Sequence, residues 1–408
     1  MYRSLGPVIN LGIGGTGCTL MLGPQANRFI FANSDAFSWA KTFTTLIPAD
    51  GPNSLMVSDG EDHRRRRSAV APAFHHRQVD EYVDTMVANT DAVIDTWKPG
   101  QRIDAYQQFR TAARRTVAEC LFGSRLAELS DMLGSELEPL LALTHAPPQQ
   151  LAVESKLGLP RWRRAMKNRI RVETLIDAVI ADARVAPRPD DRLLTTLIEG
   201  RPGGQPLNNN EIRDLIVSLI ADGYETTSGA LAWAIYALLT TPGAWESAAD
   251  EVRNTLGDRT PRAADLASLT YLNGVVRETL RLFTPGVISA RKTMRDLEFC
   301  GHRIRAGRML IFSPYVTHRI PEIWPDPNEF RPRRWDPSSP HCQKPAPDEF
   351  IPFSGGLHRC IGSGIATTEI AVTLARLVAK TSPSLPLQRI RPRHFGSLRP
   401  WPALLLDI

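Results

Sequence analysis

Apolar positions along the chain recur mostly at helical spacing, and the clearest run lies near the middle. Side chains three and four residues apart form one apolar stripe there: Ile212, Leu215, Ile216, Leu219 and Ile220. Asn208, followed three residues later by Glu211, has the pattern of a capping box at the start of a helix. We therefore predict a long helix from Asn208 to about Thr240.

The rest of the pattern predicts further helices and a few short strands. Residues 59–183 are mostly helical, with breaks at Pro99, Pro147 and Pro160, and residues 184–205 form a surface loop rich in proline and glycine. Other helices begin at Pro242 and cover 271–283 and 361–380. Strands are predicted at 8–13, 18–22, 287–291, 297–304 and 309–312, and an irregular stretch at 321–347. This order indicates a mainly α protein with small β-sheets, in a single domain over residues 1–408.

Composition is that of an ordinary globular protein. Of the 408 residues, 42% are hydrophobic and 23% charged, and no apolar run approaches the roughly 18–20 residues that span a bilayer. The N-terminus lacks the pattern of a secretory signal, so we expect a cytoplasmic protein without a transmembrane segment. The net charge of +6 is scattered along the chain, which argues against a nucleic-acid partner.

Residue spacing disfavours two kinds of binding site. The five cysteines are far apart and form no C-x-x-C pair, which argues against a zinc site or a disulfide framework. A glycine-rich turn at 12–17 formally matches the dinucleotide-binding fingerprint, but an apolar strand rather than a helix follows it. We interpret this segment as a hairpin turn.

The strongest chemical signal is a glycine-rich loop around Cys360. Residues 353–362 read Phe-Ser-Gly-Gly-Leu-His-Arg-Cys-Ile-Gly, directly before a predicted helix. Glycines let a loop backbone approach a flat ligand closely. The free N–H groups at the start of the helix favour a thiolate at the cysteine, and Phe353 would shield the sulfur from water. The alternative is a buried free cysteine in a glycine turn.

This loop resembles the haem-binding loop of the cytochromes P450, Phe-x-x-Gly-x-His/Arg-x-Cys-x-Gly, at every defining position. The resemblance extends over nearly the whole chain. It implies the cytochrome P450 fold, with haem b between the long central helix and the cysteine loop, Cys360 as the iron ligand, and Phe353 and Gly362 in the haem site. Family members normally carry some tens of residues before the segment that begins here at Gly6, so the N-terminal segment is expected to be short.

Two more motifs are similar to those of the family. Glu278 and Arg281 have the spacing of its Glu-x-x-Arg and lie on one helix face, which by itself would indicate an ordinary surface ion pair. Residues 332–335, Pro-Arg-Arg-Trp, resemble its Pro-Glu-Arg-Phe segment. The resemblance implies a buried structural network of Glu278, Arg281 and Arg334.

The central helix contains a polar segment, residues 222–227, with the sequence Asp-Gly-Tyr-Glu-Thr-Thr. Glycine and threonine are poor helix-interior residues, and a threonine hydroxyl can bond back to a carbonyl of the helix. The segment is similar to the acid–alcohol pair of the family. This implies catalytic roles for Thr226, as a hydrogen-bonding group over the haem, and for Glu225, in relaying protons from solvent.

Asp222 departs from the family pattern, in which alanine or glycine is commoner at this position. An unpaired carboxylate is costly to bury. Asp222 therefore either faces the distal pocket, where it would favour substrates with a donor or a cation, or turns away and pairs within the protein. We favour internal pairing, because it removes the cost of burial.

The two haem propionates need cationic or hydrogen-bonding partners. The resemblance assigns this role to His63 and Arg67, one helical turn apart, and to Arg291 and His358. It also implies a pocket for a mainly lipophilic small molecule, and the residues expected to line it are Asp222, Gly223, Val287, Ile288 and Ser289.

The resemblance implies a monooxygenase that inserts one oxygen atom of O2 into its substrate. Electrons would come from NAD(P)H through a separate ferredoxin and ferredoxin reductase, because the chain has no flavin or iron–sulfur segment. The four arginines at 64–67 are either a solvated helix face or part of the docking surface for that acidic donor. The alternatives are a haem-thiolate isomerase or dehydratase and a haem-based ligand binder without turnover, and Thr226 and Glu225 favour monooxygenation over both.

Overall fold

The computed structural model describes residues 6–12, 17–144, 146–200 and 205–408. The predicted central helix is confirmed as Asn209–Thr240, and Asn208 and Glu211 form the expected capping box. Most of the turn predicted at 12–17 lies outside the described residues, since 13–16 are not among them.

Helices begin at Pro148 and Pro160, where breaks were predicted, because proline is tolerated in the first turn of a helix. In the part of the chain that the structure describes, no helix is long and apolar enough to cross a membrane. In chain order the helices are Pro24–Ala32, Ile47–Asp50, Gly60–Val70, His76–Glu81, Val83–Ile94, Ala105–Phe122, Ser124–Ala127, Ser130–Thr144, Pro148–Leu157, Pro160–Val185, Arg192–Glu199, Asn209–Thr240, Ala244–Leu256, Ala263–Leu266, Thr270–Leu282, Pro314–Thr317 and Ser363–Lys380.

The strands form one larger sheet and three antiparallel two-stranded pairs. They are β1 (Val8–Leu11), β2 (Cys18–Met21), β3 (Phe37–Ser38), β4 (Arg102–Asp104), β5 (Ser289–Thr293), β6 (Leu297–Phe299), β7 (His302–Ile304), β8 (Met309–Phe312), β9 (Arg391–Phe395), β10 (Ser397–Trp401) and β11 (Leu405–Asp407). The larger sheet has the order β1-β2-β8-β5-β3, in which β2 and β8 are parallel and the other neighbours antiparallel. The pairs are β4 with β11, β6 with β7 and β9 with β10.

Two sequence predictions about these elements were wrong. The single strand predicted at 297–304 is a hairpin, because Cys300 and Gly301 both adopt positive φ (50° and 74°) and turn the chain back. The loop predicted at 184–205 contains the helix Arg192–Glu199. Its leucines form a single apolar face and are buried, and those residues are Leu193, Leu194 and Leu197.

The central helix passes through two hydrophobic cores. Its first half, up to Tyr224, packs in one core with the helices Ala105–Phe122 and Pro160–Val185. Its second half, from Ala230, packs in the other with the helices Thr270–Leu282 and Ser363–Lys380. The polar segment 222–227 lies where these two halves of the helix meet.

Candidate active site

The cysteine loop is held in shape by its own backbone and by the helix Pro24–Ala32. The Cys360 N–H donates to the Phe353 carbonyl (3.0 Å), and Ser354 has a positive φ of 57°. A Cβ at Gly355 would lie 2.5 Å from the Phe31 ring, and a Cβ at Gly356 would overlap the Ser34 hydroxyl. These two glycines therefore permit close packing against protein, whereas the sequence interpretation assigned them to the approach of a flat ligand.

The Cys360 sulfur has free surface although protein surrounds the residue, so that surface faces an interior space. Burial raises the pKa of the Cys360 thiol, and the nearby Asp222 carboxylate raises it further. A hydrogen bond from the Gly362 N–H and the charge of Arg67 act in the opposite direction. The expected support for a thiolate is thus present in the loop but is outweighed by desolvation, which a bound metal cation would offset.

Four residues predicted to bind propionates, His63, Arg67, Arg291 and His358, lie close together, and we call them the donor group. The rings of His63 and His358 stack with centroids 3.8 Å apart. The Arg67 guanidinium donates to the Arg359 carbonyl (2.7 Å), which ties the helix Gly60–Val70 to the cysteine loop. Segments distant in sequence therefore bring their donors to one edge of the interior space.

The donor group is desolvated and carries unused hydrogen-bonding capacity. His63 is buried, and its Nε2 has no hydrogen-bond partner in the described chain. Burial lowers the pKa of His63 to about 4, that of His358 to about 2 and that of Arg291 to about 9. Arg291 donates to the Ala290 carbonyl and to serine hydroxyls, and within the described residues it forms no ion pair. An anionic ligand would accept hydrogen bonds from these donors and offset the cost of their burial.

Trp39 packs against the donor group, and sequence reasoning missed this residue. Its ring stacks on His358 with centroids 4.4 Å apart, and the Arg291 guanidinium carbon lies 3.9 Å from its ring centre. The Asp59 carboxylate fixes the Trp39 backbone by accepting its N–H (2.8 Å). No sequence motif indicates this role, because the contacts join segments more than two hundred residues apart.

Thr226 and Glu225 point in different directions from the central helix. The Thr226 hydroxyl donates to the Asp222 carbonyl (3.0 Å), as the local sequence predicted, and the side chain has free surface. The Glu225 carboxylate instead meets the helix Ala105–Phe122, where Tyr106 donates to it (2.8 Å) and Arg110 forms an ion pair with it (2.5 Å). The acid is therefore connected to a Tyr–Arg pair behind the central helix, and the alcohol faces the interior.

Asp222 lies one helical turn before Thr226, and the predicted internal ion pair was wrong. Its carboxylate makes neither an ion pair nor a hydrogen bond within the described residues, and it has free surface. Desolvation raises the pKa of Asp222 to about 7. Its charge also raises the pKa of Cys360, so the carboxylate lies near the sulfur. Helix geometry decides this, since positions 222 and 226 share one face.

The other predicted pocket residues differ in their exposure and contacts. Ile288 is exposed and Val287 half-buried beside it, whereas the Ser289 hydroxyl accepts a hydrogen bond from Arg291 (3.0 Å). A Cβ at Gly223 would lie 2.8 Å from Val117 Cγ2 on the helix Ala105–Phe122. This glycine therefore allows two helices to approach closely.

Glu278, Arg281 and Arg334 come together in a fully buried network. Arg281 donates two hydrogen bonds to the Glu278 carboxylate (2.9 and 2.8 Å), and Arg334 donates one to the same carboxylate (3.2 Å). The Trp335 indole N–H donates to it as well (2.9 Å). Arg281 also donates to the carbonyls of His318 and Pro327 (2.8 and 2.7 Å). The network joins the helix Thr270–Leu282 to the segment that precedes the cysteine loop.

The arginines at 64–67 do not form one solvated face. Arg65 and Arg66 both pair with Glu211 at the start of the central helix, and Arg66 is buried. Arg64 is exposed and pairs with Glu61 (2.6 Å). Arg65 and Arg66 therefore belong to a structural ion-pair cluster, Arg64 faces outward, and Arg67 belongs to the donor group.

Comparison with known proteins identifies the family. A family model of cytochrome P450 matches residues 1–403. The chain is 64% identical to the putative cytochrome P450 139 of Mycobacterium tuberculosis, over 100% of this chain and 96% of that protein. It is 30% identical to the cyclooctat-9-en-7-ol 5-monooxygenase of Streptomyces melanosporofaciens, over 92% and 82% of the two chains.

The fold agrees with this assignment. The solved structure of retinoic acid-bound cyanobacterial CYP120A1 matches with a TM-score of 0.88 and 25% identity, over 100% of this chain and 92% of that one. The chain therefore belongs to the cytochrome P450 family and has its fold, mainly helical with small sheets. It is a cytochrome P450 monooxygenase, a class of enzyme that uses haem and dioxygen.

Proposed function

We propose that this chain inserts one oxygen atom into a mainly lipophilic small molecule at a haem whose iron is bound by Cys360. One observation carries the proposal. The Cys360 sulfur faces an interior space that also receives Asp222 from the central helix, and the donor group lies beside the cysteine loop. One part of the molecule therefore contains a residue that can bind iron, a group that can bind the propionates, and a helix face that can lie on the oxygen-binding side.

The residues present fit haem b. The unsatisfied Nε2 of buried His63 and the desolvated guanidinium of Arg291 can receive the propionates, with Arg67 and His358 alongside. The thiolate of Cys360 would be the soft ligand that haem iron takes in this class. Phe353 and Gly362 complete the loop, the first by its carbonyl contact to the Cys360 N–H and the second by its N–H to the sulfur.

When bound, haem would supply the activation of dioxygen and the transfer of one of its oxygen atoms to the substrate. The protein contributes positioning and proton delivery. The Thr226 hydroxyl can hold a water or a substrate oxygen on the free face of the central helix. Glu225, bound to Tyr106 and Arg110, connects the helix to polar groups on its far side, and we assign it to the path by which protons enter.

Substrate and electron donor belong to the same proposal. Ile288 is exposed and Val287 half-buried, and we assign both to the wall of the substrate pocket, where they favour a lipophilic substrate. A relative that shares 30% identity is a cyclooctat-9-en-7-ol 5-monooxygenase. The electrons come from NAD(P)H through a ferredoxin and its reductase, and the enzyme works in the cytoplasm. The network of Glu278, Arg281 and Arg334 maintains the fold around the cysteine loop.

The test is the absorption of the reduced, carbon-monoxide-bound protein. Wild type should show the strongly red-shifted Soret band of thiolate ligation, and Cys360→Ser should lose it while some haem is retained. Cys300→Ser removes an exposed free thiol and should leave the band unchanged. A histidine-like band in the wild-type protein would contradict the proposal.

A further inference from the structure

An exposed junction between two helices combines apolar side chains with positive charge. The helices Pro148–Leu157 and Pro160–Val185 are joined by a turn of two residues. Around this turn, Val153, Leu157 and Leu159 are 52%, 63% and 38% exposed. Single exposed apolar residues are ordinary on a protein surface, but three within seven positions form a local patch.

The first helix presents this patch together with a lysine. Val153, Lys156 and Leu157 are exposed and lie three and four positions apart, so their side chains are neighbours on one face. Leu151 and Glu154, on the opposite face, are buried and attach the helix to the protein. The outward face is therefore fixed by inward packing and is not a frayed end.

The turn brings part of the second helix to the same surface. A Cβ at Gly158 would lie 3.3 Å from Arg163 Nε, so the Arg163 side chain lies against the end of the first helix. Lys167 and Ile170 follow four and seven positions after Arg163 on one helix face, and all three are exposed. We call the following six residues the junction surface: Val153, Lys156, Leu157, Leu159, Arg163 and Lys167.

Nearby acids do not balance the positive charge of the junction surface. Residues 148–170 contain six lysines and arginines but one acid, Glu154. Glu154 is buried and pairs with Arg161 (3.0 Å), which is not part of the surface. Within the described residues, the side chains of the three cations of the junction surface make neither an ion pair nor a hydrogen bond. Their charges are therefore available to an anionic partner.

An anionic lipid surface fits both properties of the junction surface. Its headgroups attract the cations, and its acyl boundary receives the apolar side chains. A second copy of this chain would place cations against cations, and an acidic polypeptide would leave the apolar side chains in water. We propose that the junction surface binds to the surface of an anionic membrane. Such binding requires no haem chemistry, and it would bring the enzyme to the phase in which a lipophilic substrate concentrates.

The test is co-sedimentation of the purified, haem-loaded protein with lipid vesicles. One set contains phosphatidylcholine alone, and the other contains in addition about one third phosphatidylglycerol, which is anionic. At low ionic strength, wild type should bind the anionic vesicles at least about tenfold more tightly than the neutral ones. This preference should decrease as salt rises, because salt screens exposed charges.

Two double variants separate the contributions of charge and apolar surface. Lys156→Gln with Lys167→Gln should weaken binding to anionic vesicles by about tenfold or more and flatten its salt dependence. Val153→Ser with Leu157→Ser should weaken binding by about tenfold and leave the salt dependence unchanged, because all three cations remain.

Each double variant has a matched control at exposed positions elsewhere on the protein. Lys98→Gln with Lys344→Gln removes the same charge, and Val185→Ser with Leu387→Ser removes the same two apolar side chains. Both controls should change binding by less than about twofold. The haem absorption of each variant checks that it is folded, and the vesicle preference of wild type needs no variant.

Equal affinity of wild type for the two kinds of vesicle, or equal losses in the variants and their controls, would overturn the inference. Tighter binding of soluble polyglutamate than of vesicles, at equal anionic charge, would mean that the partner is an acidic polypeptide. Dimerisation that Val153→Ser with Leu157→Ser abolishes in sedimentation velocity would mean that the partner is a second copy. The carbon-monoxide spectrum tests the proposed function separately, so a normal thiolate band without vesicle binding rejects the membrane surface alone.

Discussion

Glu369 is a buried acid whose ionisation destabilises the folded protein. It lies on the helix that follows the cysteine loop, is 3% exposed and accepts a hydrogen bond from the side chain of Thr116 on the helix Ala105–Phe122. Desolvation raises the pKa of Glu369 to about 8. The folded protein therefore holds a proton that an unfolded chain, with a glutamate pKa near 4.3, releases over most of the intervening range.

Glu369→Gln should change the pH dependence of stability. Because the folded state binds the extra proton, the contribution of Glu369 to the free energy of unfolding falls as the pH rises from about 4.3 to about 8. The isosteric amide removes this loss, so urea unfolding followed by circular dichroism should show the variant more stable than wild type at pH 8.5, by about 1 kcal/mol or more, and not at pH 5. Glu246→Gln, on an exposed helix surface, should behave like wild type at both pH values. Parallel curves for Glu369→Gln and wild type would contradict this account.

At the scale of single residues, sequence reasoning relied on local motifs. The cysteine loop and the pair of Glu225 and Thr226 are contiguous segments, and the resemblance of these motifs to those of the family implied their roles. Trp39 was missed, because its surroundings are created by contacts between segments far apart in the chain. The orientation of Asp222 was predicted wrongly because the cost of burial was judged without knowing that none of the described residues pairs with its carboxylate.

At the scale of elements, close approach between neighbours depends on particular glycines. Gly274, in the middle of the helix Thr270–Leu282, faces the segment that carries Arg334. A Cβ at this position would lie 2.5 Å from the Pro332 carbonyl oxygen and 3.1 Å from its carbon. Both are backbone atoms, which cannot rotate away as the end of a flexible side chain can.

Gly274→Ala should force this helix away from residues 332–335 and loosen the contact between Glu278 and Arg334. We expect a loss of about 1–3 kcal/mol in the free energy of unfolding, the usual cost of overpacking, and faster loss of haem on heating. Gly364→Ala is the matched control, because a Cβ there meets only Val79 Cγ2, at 3.9 Å. Equal stability of the two variants would show that the helix has room to move.

The elements themselves were largely predictable from periodicity and caps. The central helix was located by its apolar stripe and capping box, and proline marked two helix starts. The helix Arg192–Glu199 was missed because proline, glycine and charge around it outweighed eight amphipathic residues. Strands β4, β9, β10 and β11 escaped prediction, since each is stabilised by pairing with a partner rather than by its own pattern.

At the scale of the whole molecule, the central helix contributes side chains to both large cores. We therefore propose that the chain forms a single domain, in which neither core is complete without this helix. The net charge is +6, so the protein as a whole is positively charged. Outward-facing arginines then matter for the approach of an acidic electron donor, because long-range steering acts on exposed charge.

Arg64 and Arg77 are exposed, and each lies on a helix that approaches the cysteine loop or the start of the helix after it. Arg64 shares a helix with Arg67, which contacts the cysteine loop, and Arg77 lies on the helix His76–Glu81, whose Val79 approaches Gly364 just after the loop. Arg66, which the sequence had grouped with Arg64, is buried against Glu211 and is excluded from this surface. The docking surface we propose therefore consists of Arg64 and Arg77 rather than the full run at 64–67.

Replacing Arg64 and Arg77 together by glutamine should slow reduction of the haem by an acidic ferredoxin several-fold at low ionic strength. The difference should shrink as salt rises, because exposed charges are screened within about 8–10 Å at physiological ionic strength. Stopped-flow reduction over a salt series measures both effects. Arg253→Gln removes an exposed arginine from the helix Ala244–Leu256 and should leave the rate nearly unchanged, which separates local docking from the effect of net charge. If the double variant and this control behave alike at every salt concentration, the donor binds elsewhere on the protein.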